Sequence, residues 1–156
     1  VSEEAREAAL KSMKTLNRYA RDVLKRHTVH ACTDVTGFGL GGHGTEMADG
    51  SKKTLVIDAK ALPILPDVEE YASMGLIPGG AYRNREFAAK SGYISTAELW
   101  REDLVFDPQT SGGLLISVEA QYAEAVMEAF EKKKLDTKVS LIGTVTEKSD
   151  KLIRLH

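Results

Sequence analysis

Ala5, Ala9, Met13, Leu16, Ala20 and Val23 recur at helical spacing behind Ser2, Glu3 and Glu4, and Lys25, Arg26 and His27 follow them. That stripe predicts one amphipathic helix running from a Ser2 N-cap to the basic cluster. Acidic residues lead and basic ones trail, the signs that a helix dipole favours. Thr28 to Thr33 then reads as a short buried strand, and Lys53 to Asp58 as a second strand. Pro63 and Pro66 punctuate the chain before a short helix over Asp67 to Met74, which Gly75 ends. Further on, Leu114 to Val118 is an apolar strand, and a helix over Ala120 to Lys134 is expected to bury Tyr122, Ala123, Val126, Met127 and Phe130. Val139 to Val145 and Leu152 to Leu155 predict two closing strands around a polar turn, Glu147 to Lys151.

Between these elements lie three stretches of less regular pattern. Asp34 to Gly44 holds glycines at 37, 39, 41, 42 and 44 and runs into Thr45-Glu-Met-Ala-Asp, so it predicts a turn entering a helix. Each glycine weakens that helix by about 1 kcal/mol relative to alanine. Pro78 to Glu86 predicts a loop that becomes helical near Phe87, and Ser95 or Thr96 can cap a short turn before Trp100. Asp107 to Gly113 is a third turn, following Leu104-Val-Phe. Helices and strands mix without the regular alternation of a doubly wound sheet, which predicts one α+β domain over residues 1–156.

Composition narrows the classes. The 156 residues are 42% apolar and 28% charged, enough for one packed core with an ordinary surface. Lys and Arg total 21 against 23 Asp and Glu, so neither the basic footprint of a nucleic-acid binder nor a membrane-surface stripe is present. Cys32 is the single cysteine, which excludes a disulfide framework and fits a reducing, cytoplasmic compartment. No apolar run approaches the roughly 18 residues that span a bilayer. Val-Ser-Glu-Glu has neither part of a signal peptide, and a start without Met fits an excised domain or removal of an initiator Met alike.

Candidate chemistry gathers in the irregular stretches. Thr33-Asp-Val-Thr-Gly-Phe-Gly follows a strand and opens a helix, where free N–H groups attract phosphate and glycine allows close approach. Asp34 at the strand end suits Mg²⁺, which takes few carboxylates and otherwise keeps water and phosphate oxygens. A glycine-rich turn with Asp34 as a helix cap explains the spacing equally well, since neither the Walker A loop nor the dinucleotide fingerprint is matched. In Asp107-Pro-Gln-Thr-Ser-Gly-Gly, Thr110 and Ser111 can donate to phosphate, or the run is only a structured turn. In Tyr82-Arg-Asn-Arg-Glu, Arg83 and Arg85 can grip a carboxylate or phosphate, or form a salt-bridged loop. Cys32 reads as a small buried hydrophobe. His27, His30, His43 and His156 lack ligand spacing, His43 alone gaining interest from the glycine run beside it. Lys132 to Lys134 reads as a solvated helix end, and no Ser-His-Asp set or close carboxylate pair is legible.

Taken in order, Ala31-Cys-Thr-Asp-Val-Thr-Gly-Phe-Gly-Leu-Gly-Gly-His, Ile77-Pro-Gly-Gly-Ala-Tyr-Arg-Asn-Arg-Glu and Phe106-Asp-Pro-Gln-Thr-Ser-Gly-Gly-Leu-Leu closely resemble the C-terminal domain of the selenophosphate synthetases, also called selenide, water dikinases. The resemblance spans nearly the whole chain, and three long motifs in one order are far more specific than any one. It implies a PurM-like C-terminal domain, an α+β unit with a mixed sheet flanked by helices and partly ferredoxin-like. It further implies a kinase-type transferase making selenophosphate, AMP and phosphate from selenide, ATP and water, with Mg²⁺ required and potassium commonly supporting activity. The partners implied are the protein's own N-terminal domain and a second copy in a homodimer. Other ATP-using PurM-like enzymes (aminoimidazole ribonucleotide synthetase, hydrogenase-maturation homologues) and a non-catalytic assembly module are the alternatives, and the wording of the second and third motifs argues against the former.

The resemblance carries over residue by residue. The Asp of its Thr-Asp-Val-Thr-Gly motif maps onto Asp34 as a metal ligand, with Thr36 and Gly37 near the nucleotide phosphates. The family's reactive Cys or selenocysteine and its partner Lys belong to the N-terminal domain, so no catalytic residue is expected here and Cys32 is not that nucleophile. The fragment alone is therefore expected to be inactive. The family usually has an apolar residue in place of Gly41 and commonly a larger one than Gly44, so both positions predict a weaker helix behind the motif.

Overall fold

Ser2 begins the fold as its spacing predicts: in the computed structural model, which describes residues 1–135 and 138–156, its hydroxyl accepts from the Ala5 N–H at 3.1 Å. The helix behind it, α1 (Glu3–Lys14), is shorter than expected. The single helix predicted through His27 is two, because Thr15 turns extended and α2 (Arg18–Leu24) restarts after Asn17. Tertiary bonding sets the break. The Thr15 hydroxyl donates back to the Lys11 carbonyl at 2.8 Å, and the Asn17 amide donates to the distant Gly112 carbonyl at 2.8 Å. Apolar spacing runs on across the gap and so conceals it.

Strand β1 (Val29–Asp34) pairs antiparallel with β4 (Leu114–Val118) as a separate two-stranded ribbon, with Asp34 opposite Leu114. Half-buried and exposed positions alternate along β1, which corrects the reading of a buried strand and of Cys32 as a buried hydrophobe: Cys32 is exposed. One face of the ribbon packs on Val23 and Leu24 of α2 and on Val126 and Phe130 of α7 (Ala123–Lys133), and Leu115, which points to the other face, packs against the main core. A short 3₁₀ turn, Ala120–Tyr122, precedes α7 and leaves Tyr122 47% exposed, so Val126 and Phe130 alone of the five expected residues are fully buried.

The second sheet is mixed, with order β3-β6-β2-β5 over β2 (Lys53–Ile57), β3 (Tyr93–Ser95), β5 (Gly143–Glu147) and β6 (Ile153–Leu155). β2 pairs antiparallel with β5 and parallel with β6, and β6 pairs parallel with β3. The strand expected from Val139 begins at Gly143 and runs to Glu147 instead; of the expected polar turn, 148–151 is free of strand. Leu55, Ile57, Ile153 and Leu155 form one side of the main core. Ala48 of α3 (Gly39–Ser51), Ala81 and Ala88 of α5 (Gly79–Ser91), and Val105 of α6 (Leu99–Val105) with Phe106 form the other. The small helix α4 (Val68–Ser73) lies where the prolines and Gly75 place it. Together these are the α+β architecture with a mixed sheet flanked by helices. Among the described residues no helix is long and apolar enough to cross a membrane.

Two local differences bear on the site. α5 starts at Gly79 rather than near Phe87, with Pro78 as its extended cap accepting from the Ala81 N–H at 2.9 Å, so Tyr82 to Glu86 is helix and not loop. And α3 forms over 13 residues despite its glycines. Packing overrides propensity there: a Cβ at Gly41 would lie 2.3 Å from a Phe106 ring carbon, and one at Gly44 3.3 Å from Ile153. Glycine lets α3 lie directly on the core, which offsets what it costs in chain entropy.

Candidate functional site

The three irregular stretches meet. Asn84, buried within α5, donates through its amide to the Gly37 carbonyl at 2.9 Å and the Phe106 carbonyl at 3.0 Å. One side chain of the second stretch therefore ties the first to the third. The first and third are also laced by backbone: Val35 N–H to Gly113 carbonyl at 2.8 Å, and Gln109 N–H to Thr36 carbonyl at 3.0 Å. Gly39 adopts φ +69°, and a Cβ there would stand 2.7 Å from the Phe106 carbonyl carbon. Gly112 is tighter still, its virtual Cβ 2.0 Å from the Val35 oxygen. These glycines serve the docking of one turn on the other.

On this frame Asp34 ends β1 with an exposed carboxylate that makes no hydrogen bond or ion pair among the described residues. Among the described residues no group of three or more His, Cys, Asp or Glu could hold a metal. The donor set fits a hard cation that takes one carboxylate here and fills its shell with water, phosphate oxygens or groups from another polypeptide. Next to Asp34, the N–H groups of Thr36, Gly37 and Phe38 have no backbone acceptor among the described residues. Gly37 is exposed, its φ is not positive, and a Cβ would meet nothing within 4 Å. Nothing among the described residues requires glycine there, and open approach to its N–H is what the residue leaves.

The Thr36 hydroxyl lies 3.1 Å from His43 Nε2, and His43 Nδ1 lies 3.2 Å from Glu46 Oε2. His43, singled out in the sequence by its place alone, thus touches the site. Arg83 and Arg85 part company. Arg85 pairs with Asp103 at 2.8 Å and Glu102 at 3.6 Å, above the Tyr82 ring, so the salt-bridge reading holds for it. Arg83 is exposed and has no ion pair among the described residues. Thr110 and Ser111 are exposed, Ser111 at φ +52°, and Asp107 has its carboxyl pushed above the usual range by burial. Burial of the Cys32 sulfur and the neighbouring Asp34 push that thiol up, away from a nucleophilic thiolate. Lys132 pairs with Glu128 at 3.1 Å on an exposed helix face, as a solvated end does.

Asn84 is the residue that sequence reasoning missed, for it entered only as the spacer between two arginines. Asn84→Ala removes both amide bonds and strands two carbonyls in the joint. It is expected to lower stability by about 2–3 kcal/mol, read from urea denaturation. A loss below about 0.5 kcal/mol would show that the three stretches hold together without it.

Comparison with known proteins agrees with the motifs. The model of the AIR synthase related protein family, C-terminal domain, matches residues 2–155. A selenide, water dikinase of Treponema denticola is 43% identical over 93% of this chain, which covers 42% of that protein. One of Caldanaerobacter subterraneus subsp. tengcongensis is 45% identical over 91% of the chain, covering 41% of its length. Selenide, water dikinase 2 of Peptoclostridium acidaminophilum is 40% identical over 98%, covering 44%. The chain thus spans less than half the length of these relatives. Among solved structures, thiamine-monophosphate kinase of Stenotrophomonas maltophilia K279a superposes with a TM-score of 0.54 at 20% identity, over 85% of this chain and 32% of that one, a likeness of fold alone. With a family model covering all but its terminal residues and the three motifs folded onto one another, the chain belongs to the AIR synthase related proteins and represents their C-terminal domain.

Proposed function

We propose that this chain is the C-terminal domain of a selenophosphate synthetase and supplies one wall of a site completed by an N-terminal domain. The observation that carries the reading is the unpartnered Asp34 carboxylate beside free N–H groups on a turn that all three motifs hold rigid. In the whole enzyme ATP, selenide and water give selenophosphate, AMP and phosphate. Asp34 would hold Mg²⁺, and the turn at Thr36 and Gly37 would receive nucleotide phosphate through its N–H groups. Mg²⁺ held there would supply charge compensation for the phosphates. What this chain contributes is position, since its donors are fixed before any ligand arrives. The nucleophile and its partner lysine belong to the N-terminal domain, potassium supports the site, and the full protein acts as a homodimer in the cytoplasm.

The test uses phosphorus NMR with ATP, selenide and Mg²⁺. A full-length protein carrying this chain is expected to give the selenophosphate resonance, and the 156-residue chain alone to give none. Selenophosphate from the chain alone would refute the composite site. Its absence with the full-length protein would refute the assigned reaction.

A further inference from the structure

The side chains of Thr36, His43 and Glu46 form a hydrogen-bonded series to which the proposed reaction assigns no task. Thr36 stands in the turn before α3, and His43 and Glu46 lie within the helix, three residues apart and so on one face. The imidazole is well enclosed, its side chain 12% exposed, and the Phe38 ring meets it edge-on with centroids 5.6 Å apart. Its freedom to turn is small.

The directions of the two bonds follow from what each atom can do. A carboxylate only accepts, so Glu46 Oε2 at 3.2 Å takes the proton of His43 Nδ1. In the neutral ring Nε2 then carries a lone pair and no proton. The Thr36 hydroxyl, 3.1 Å away, has a single proton and must donate it to Nε2. The other tautomer would set the bare lone pair of Nδ1 against the carboxylate, two acceptors face to face. With its proton committed inward, the Thr36 oxygen offers lone pairs only. Lone pairs attract a cation and repel phosphate oxygens.

We infer that His43 is a positioning residue which holds the Thr36 hydroxyl as an acceptor for a hard cation, leaving contact with phosphate to the N–H groups of Thr36, Gly37 and Phe38. This rests on the reading that places a cation and phosphates at Asp34 to Gly37. It divides the turn by sign: oxygens of Asp34 and Thr36 would hold the cation, and backbone donors the anion. Outer groups that orient a ligand in this way typically change metal affinity by about 10–100-fold when removed.

Two measurements test it. Long-range ¹H–¹⁵N correlation spectra of the labelled chain, with the ring neutral, are expected to show His43 protonated at Nδ1 and bare at Nε2. Glu46→Ala is expected to shift the ring toward protonation at Nε2. A wild-type ring protonated at Nε2 overturns the proposal whatever the reaction is. In the full-length protein, His43→Ala is expected to raise the Mg²⁺ concentration for half-maximal turnover about tenfold, with KM for ATP at saturating Mg²⁺ moving less than about threefold. His43→Gln, whose amide oxygen can accept from Thr36, is expected to recover most of that loss. A rise in KM for ATP with an unchanged Mg²⁺ requirement would make the Thr36 hydroxyl a phosphate donor and overturn the proposal. Failure of the underlying reading shows elsewhere, in an active Asp34→Asn enzyme, while the ring spectra still report on His43.

Discussion

Asp34→Asn in the full-length enzyme is expected to lower selenide-dependent ATP cleavage by about a hundredfold or more while leaving the fold intact. The substitution keeps size and shape and removes one charge. Withdrawal of a carboxylate from a cation that offsets phosphate charge removes several kcal/mol from the transition state, and each 1.36 kcal/mol is a factor of about ten. The folded chain has little to lose, because the carboxylate is exposed and makes no hydrogen bond or ion pair among the described residues. An exposed site of this kind changes stability by less than about 0.5 kcal/mol. Calorimetry of wild type and variant, run beside turnover assays across Mg²⁺ concentration, separates the two effects. Near-normal turnover would remove Asp34 from the site.

Gly112→Ala is expected to be among the most damaging small substitutions at the described residues, destabilising by about 4 kcal/mol or preventing folding. Its added carbon would sit 2.0 Å from the Val35 oxygen and 2.6 Å from Gln109 Oε1. The first neighbour is backbone and cannot swing aside. The surrounding bonds lock it further: Val35 N–H to Gly113, Gln109 N–H to Thr36, and the Asn17 amide to the Gly112 carbonyl itself. Gly113→Ala is the control, since a carbon there meets nothing within 4 Å and the residue's φ is not positive. It should cost about 1 kcal/mol or less. Urea unfolding of the pair reads the difference, and similar midpoints for both would mean that the two turns part easily.

These two residues mark what the sequence discloses and what it withholds. Asp34 was legible, because a strand followed by a glycine-rich turn places a carboxylate at a strand end by local rules alone. The two β1-side and β4-side motifs were legible as turns for the same reason. Gly112 and Gly113 look alike in sequence, and only the approach of Val35 tells them apart. Asn84 acts on carbonyls 47 and 22 residues away, a relation that no spacing encodes. The break at Thr15 is hidden because its cause, a bond from Asn17 to Gly112, spans 95 residues. Cys32 was misplaced because a run of small and apolar residues reads as buried throughout, whereas half-buried and exposed positions alternate along β1 and Cys32 falls on an exposed one. The helix α3 was legible, but propensity counts each of its glycines as a loss and does not count the closeness of Phe106.

The two sheets share no strand. Asp34 terminates the ribbon, while Gly39 opens the helix that rests on the four-stranded sheet. Residues 35–38 are thus a seam between two sheets that also meet where Leu115 packs on the main core, and Asn84 pins that seam to the helical side. A ligand gripping both the carboxylate and the turn would act as a clasp, its tightness depending on how ribbon and helix sit rather than on either one alone. Substitutions deep in the cores, far from any phosphate, would then be felt as a loosened clasp.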